Sequence, residues 1–212
     1  MSEYFLLLLV GFLYIVLFGG LFYFRREGLS GQFAIEALVL TFVASGLSFV
    51  SSYTIHPVLF LILLYVVTMR VRLLVDFGNS FASRGKHDMA IRFYMLAARL
   101  WPDRTNRLIL QVNQAVLCLQ QGLLEDAIRQ FTEVLGQAGH GYLGVKYEAA
   151  AHYNLGVAFR RKGMPSQAVA EFNSAIDCWP VSLYAQGAQT ALKQMLQKDS
   201  PGDHGDQASE DR

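Results

Sequence analysis

Cysteine is nearly missing from this sequence. The two present, Cys118 and Cys178, are too few and too far apart for a disulfide framework or a zinc site. Charge is scarce as well: 17% of the 212 residues are charged against 53% hydrophobic. That is too apolar for an ordinary soluble domain and points to a chain partly embedded in a membrane. The net charge of +1 conceals a segregation, because residues 1–69 sum to −1, residues 70–197 to +5 and residues 198–212 to −3. A segment at +5 falls short of a nucleic-acid footprint, so no nucleic-acid partner is expected. No Ser/His/Asp or Cys/His set, metal spacing or phosphate loop is present either. His87, His140 and His152 are scattered, without acidic or cysteine companions at ligand spacing. Gly139-His140-Gly141-Tyr142-Leu143-Gly144 spells the dinucleotide fingerprint but lacks the preceding strand and βαβ context, and reads as a loop. No catalytic residue, cofactor or metal is therefore expected.

What is abundant is membrane-length apolar sequence. Tyr4–Phe24 holds no charge over 21 residues, enough to cross a hydrocarbon core of about 30 Å. No basic residue precedes it in Met1-Ser2-Glu3 and no small-residue cleavage motif comes after it, so a retained anchor is expected. Residues 37–69 contain no Asp, Glu, Lys or Arg. One helix of that length would reach about 50 Å, too long for a bilayer. The run also interrupts itself at Ser51-Ser52-Tyr53-Thr54-Ile55-His56-Pro57, a turn signal with a proline suited to the first position of a helix. Three spans are predicted, about 4–24, 33–52 and 55–71. Arg25 and Arg26 come directly after the first and Arg70 and Arg72 after the third, while the 51–56 loop has no basic residue. Three spans put both clusters on one side, which predicts an outside N-terminus and a C-terminal half in the cytoplasm or its equivalent. Between Pro57 and Gly78 there is neither Gly nor Pro, so the third span can continue as one helix into the C-terminal half. Glu36, the one acid within an apolar run, lies at the start of span two on the side of Arg25 and Arg26. It reads as an interfacial acid paired with arginine, or as a functional acid. His56 reads as a solvated loop residue.

The C-terminal half repeats itself. Residues 71–104, 108–141 and 149–182 align on a 34-residue ruler. Gly85, Gly122 and Gly163 mark a turn in each unit; Ala90, Ala127 and Ala168 lie five residues later, then Tyr94, Phe131 and Phe172. The first and third units end in Trp101-Pro102 and Trp179-Pro180. Cys118 stands where the other units have Phe81 and Phe159, which suits a buried, apolar thiol. Leu183–Gln197 carries Leu183, Tyr184, Ala188, Ala191, Leu192, Met195 and Leu196 at helical spacing and reads as a closing helix. Residues 198–212 have no large apolar residue and should be disordered. Arg160-Arg161-Lys162 precedes the turn at Gly163, where cations suit a helix C-terminus or form a docking patch.

These units resemble tetratricopeptide repeats over residues 71–182. The third fits best, with Leu155, Gly156, Phe159, Gly163, Ala168, Phe172, Ala175 and Pro180 on signature positions. The first matches through Phe77, Gly78, Phe81, Gly85, Ala90, Tyr94, Ala97 and Pro102. The second departs, with Gln114 for the usual Leu, Ala115 for Gly and no terminal Pro. Together with the three transmembrane helices predicted in 1–70, the resemblance implies an all-α fold: in 71–197 an α-solenoid of three helix pairs, which the helix at 183–197 closes and the spans could cap at its other end. It implies a groove lined by the first helix of each pair that binds a protein partner as a peptide or helix. That groove would present Val75, Asp76, Asn79, Val112, Asn113, Val116, Tyr153, Asn154, Val157 and Arg160. Asn113 and Asn154 share one repeat position, and an amide offers both a donor and an acceptor to an extended backbone. The plainer reading is that they are solvated polar positions. The family's clamp for chaperone C-termini needs basic residues where this chain has Val75, Ala150 and Asn154; Asn79 and Asn113 fit it and the charges do not.

The expectation is a non-enzymatic membrane adaptor whose partner, like the lipid bilayer itself, lies at the membrane. Assembly factors for membrane complexes resemble this arrangement. The alternatives are a structural subunit of a large membrane complex and, from another class, a membrane enzyme or transporter using Glu36 and His56.

Overall fold

The computed structural model describes residues 3–28, 30–51, 55–138 and 143–199. The middle of the predicted 51–56 turn, most of the Gly139–Gly144 loop with His140, and residues 200–212 of the predicted tail lie outside them. Among the described residues there are nine helices and no strand: α1 Glu3–Phe24, α2 Gly31–Val50, α3 Pro57–Ala82, α4 His87–Arg99, α5 Arg104–Gln120, α6 Leu124–Ala138, α7 Val145–Arg161, α8 Pro165–Cys178 and α9 Leu183–Asp199.

Helices α1, α2 and α3 are each long and apolar enough to cross a membrane. They pack on a narrow seam and leave the rest of their surface apolar and exposed, as lipid-facing helices do. Phe33, Ala37, Thr41 and Ser45 recur every four residues along the buried face of α2. Leu7, Tyr14, Phe22, Phe60 and Leu64 fill the seam from the other two helices. Within it the Tyr14 hydroxyl and Thr68 Oγ1 form a buried 2.7 Å hydrogen bond between α1 and α3. Thr68 also donates to Leu64 O, which keeps both polar groups satisfied inside an apolar bundle. Pro57 sits at the first position of α3, and His56 caps that helix by accepting the Val58 N–H at Nδ1.

With nothing to break it, α3 runs 26 residues, past the spans and into the second half of the molecule. There α3 packs on α4, α5 on α6, and α7 on α8, with α9 against α7 and α8. Each pair reverses in the same way. Gly85, Gly122 and Gly163 take φ of 72°, 78° and 79°, the left-handed geometry that glycine adopts without steric cost. The nested bonds Lys86 N–H to Phe81 O, Leu123 N–H to Cys118 O and Met164 N–H to Phe159 O close the three helix ends alike. Behind each turn Ala90, Ala127 and Ala168 are fully buried, as are Tyr94, Phe131 and Phe172 one helical turn on. Gly78 admits the Tyr94 ring and Gly156 the Phe172 ring, where an added Cβ would come within 2.4 Å and 2.8 Å of ring carbons.

Two sequence expectations need correction. The closing helix α9 buries its small residues Ala185, Ala188 and Ala191, with Leu192 and Met195 partly buried beside them, while Leu183 and Leu196 stay exposed. The spans α1 and α2 do not cap the stack: they pack only on each other and on α3. The loop after α1 and the first turn of α2 instead touch the edge where helix pairs join. Gln32 Nε2 donates to Trp101 O before α5, Lys146 N–H to Arg26 O at the start of α7, and the Arg26 guanidinium lies over the Trp179 ring before α9. Helices α4, α6 and α8 therefore run back toward the spans, and α5, α7 and α9 run away from them.

Candidate functional site

Five of the ten groove residues come together. Asn79 on α3, Val112, Asn113 and Val116 on α5, and Asn154 on α7 line one cavity of about 280 Å³, along with Tyr94, Tyr147 and Tyr184. The other five are used elsewhere. Val75 and Asp76 face a second cavity nearer the spans. Tyr153 packs against the rings of Phe172 and Tyr184 at 6.0 Å and 6.1 Å. Val157 packs into the α8–α9 core, and Arg160 donates to Gln194 Oε1 on α9. The remaining basic residues of that run are also engaged: Arg161 donates to Leu119 O at the end of α5, and Lys162 pairs with Glu125.

The asparagines are set in a definite polarity. Asn113 Nδ2 donates to Ile109 O at 2.7 Å and Asn154 Nδ2 to Ala150 O at 2.8 Å, each one turn back in its own helix. Each thereby keeps its Oδ1 as an acceptor. Asn79 is opposite in sense: its Oδ1 accepts the Tyr94 hydroxyl at 2.5 Å, leaving Nδ2 as a donor. The phenols of the lining keep their protons. Burial pushes Tyr94 and Tyr147 up to about 12 and raises Tyr184; the nearby Glu27 carboxylate adds to the rise at Tyr147. The cavity is therefore lined by amide and hydroxyl groups between apolar side chains, with no charged side chain among its lining residues.

Beneath the groove lies a charged cluster that sequence reasoning missed. Glu27, one residue past the arginine pair, is only 5% exposed. Its Oε1 accepts Lys146 Nζ at 2.7 Å and Arg25 Nε at 3.0 Å, and its Oε2 accepts Arg72 NH1 at 2.9 Å. Arg72 also donates to Gly28 O and Asn106 Oδ1 and lies 4.1 Å from the Phe22 ring centroid. A buried carboxylate is tolerable only when paired this fully. The backbone presses equally close: a Cβ on Gly144 would come within 2.2 Å of the Glu27 carbonyl carbon. Alongside, Ser30 caps α2 and donates to Asp103, which itself caps α5. One loop thus fastens α1, α3, α5 and α7 together, and Tyr147 of the groove wall is the residue next to Lys146.

Glu36 does pair with arginine, but with Arg70 on α3 and not with Arg25 or Arg26, through two bonds from NH1 and NH2. The reason is adjacency: α2 packs against α3, while the loop arginines turn toward Glu27 and Trp179. His56 lies beyond the far end of α2, and the rise from Glu36 to Val50 alone is about 21 Å. These two residues cannot share one reaction centre. Cys178 is half-buried with its thiol toward Val145 O, and burial pushes its pKa up to about 11. Among the described residues no group of three His, Cys, Asp or Glu is placed to hold a metal. Compared with known proteins, no family model matches the chain and no curated protein matches it, so the reading of the groove rests on its own chemistry.

Proposed function

We propose that this chain is a non-enzymatic, membrane-anchored adaptor of tetratricopeptide-repeat type, whose groove takes an uncharged segment of a protein partner as a peptide or helix. The observation that carries the reading is the Asn79–Asn113–Asn154 lining of one cavity, in which the bonds already made leave one amide donor and two amide acceptors on three successive helix pairs. A polypeptide backbone supplies the complementary groups at every residue. The identical turn geometry of the three pairs supports the repeat reading. Sidedness is argued from charge: Arg25, Arg26, Arg70 and Arg72 gather at the end of the bundle that carries the repeats, which favours the cytoplasm or its equivalent for that half. A partner held there lies against the membrane, which fits a factor that assembles a membrane complex.

The test is capture in the native membrane, with a photo-crosslinking residue at Val116. Crosslinking to one discrete protein, lost in Asn113→Ala with Asn154→Ala and retained in Glu36→Gln with His56→Ala, supports the adaptor. Loss in the second pair and retention in the first would reverse the ranking in favour of a membrane enzyme or transporter. A second reading, a permanent subunit of a larger complex, is favoured by large apolar side chains left exposed outside the spans, Val181 and Leu183 at 80% and 82%. Stoichiometric co-purification in mild detergent marks the subunit, and substoichiometric capture the assembly factor.

A further inference from the structure

A separate cavity of about 200 Å³ lies between α1, α3 and the start of α7. It runs along one stripe of α3, from Tyr65 through Met69 and Leu73 to Asp76, a rise of about 16 Å. Its two ends differ in kind. At the Tyr65 end the walls are Phe18, Leu21 and Met69, and both Leu21 and Tyr65 are exposed on the outer surface of the spans. At the Asp76 end they are Arg25, Glu27, Arg72 and Lys146. One end thus faces hydrocarbon and the other lies where the spans emerge, so the cavity has the polarity of a lipid set upright in a leaflet.

The charged end also has capacity to spare. Arg72 uses three of its five N–H donors, one on each nitrogen, on Glu27, Gly28 and Asn106. Arg25 engages Glu27 through Nε, leaving both terminal nitrogens as donors, and Lys146 meets the same carboxylate with one of three ammonium protons. Asp76 is exposed, and no cation among the described residues lies within ion-pair distance of it. Three bases against two acids leave one positive charge, the complement of one phosphodiester. We propose that this cavity binds a phospholipid whose headgroup carries an N–H or O–H donor. Its phosphate sits on Arg25 and Lys146, its headgroup donor on Asp76, and its upper acyl carbons against Phe18, Leu21 and Tyr65. The inference rests on α1 and α3 as spans and is independent of what the groove binds.

Native mass spectrometry of the full chain in detergent tests it. The probes are phosphatidylethanolamine, phosphatidylglycerol and phosphatidylcholine with matched chains, and glycerophosphoethanolamine as the chainless headgroup. The expected result is retention of the ethanolamine and glycerol lipids about tenfold above the choline lipid, whose quaternary nitrogen has no proton to give, as one hydrogen bond to a charged group warrants. Asp76→Asn should erase that preference, Arg25→Gln should weaken all three lipids, and the chainless headgroup should not be retained. Both residues are exposed, and unchanged thermal unfolding of the variants confirms that they fold. Equal retention of the three lipids, a preference that survives Asp76→Asn, or retention of the headgroup alone would each overturn the proposal.

Discussion

Glu27 and Lys146 stand 119 residues apart in the chain and 2.7 Å apart in the fold. The contact joins the loop after the first span to the first turn of α7, and Arg72 of α3 closes it from the other side. Removing the carboxylate leaves two largely buried cations, Arg72 and Lys146, without the anion that pairs them. Glu27→Gln should therefore cost about 3 kcal/mol of stability. Arg25→Gln, whose side chain is 56% exposed, should cost within about 1 kcal/mol. Denaturant unfolding of the full chain in detergent gives both values, and equal losses would show that Glu27 is not the centre of the cluster.

Gly144 allows the same junction to be broken without changing a charge. Any side chain there meets the backbone of Glu27 and Gly28. Gly144→Val should raise hydrogen exchange at the start of α7 and around residues 25–28, and leave the Gly85 turn protected. Unaltered exchange at both sites would mean that the contact is not maintained in solution.

Glycine substitutions should change sign with backbone conformation. Gly122 at φ 78° loses an accessible geometry on Gly122→Ala, at a cost of about 1 kcal/mol. Gly136 lies exposed within helix α6, with open space around its Cβ position, so Gly136→Ala should stabilise by about 0.5–1 kcal/mol. Thermal unfolding of the two variants checks the pair, and shifts of the same sign would contradict it.

The thiol of Cys178 should be sluggish. With its pKa pushed up to about 11 by burial, the thiolate is a minor species at pH 8. Alkylation there should be about 100-fold slower than for an unhindered thiol of ordinary pKa, and should accelerate as pH rises toward 11. Rates by mass spectrometry at pH 8 and pH 10 decide the matter; a fast, pH-independent reaction at Cys178 would contradict the burial.

Periodic features were legible in the sequence and singular contacts were not. The three spans, the glycine turns and the unbroken course of α3 each rest on a run or spacing that local physics enforces. Glu27 carries no such mark: Arg72 and Lys146 approach it only because α3 and α7 stand side by side. The same limit applies to the groove. Repeat register grouped Asn79, Asn113 and Asn154, which line one cavity, but it could not foresee that Tyr153 and Val157 would turn toward α8 and α9, or that Arg160 would reach Gln194. In α9 the helical stripe was legible, but which residues on it would be buried was not: Ala185, Ala188 and Ala191 are inside, Leu192 and Met195 are partly buried, and Leu183 and Leu196 are out.

Helix α3 belongs at once to the membrane bundle and to the first helix pair, and that imposes an order on biogenesis. It is long and apolar enough to enter a bilayer, and its first half would do so before its second half has a partner, since α4 is made only after Gly85. Until α4 folds back, Val71, Val75 and Ala82 stay uncovered on a rod already fixed at one end. The first pair would then form on a template already anchored at one end. A break in α3 would uncouple insertion from folding even with every residue of the groove intact.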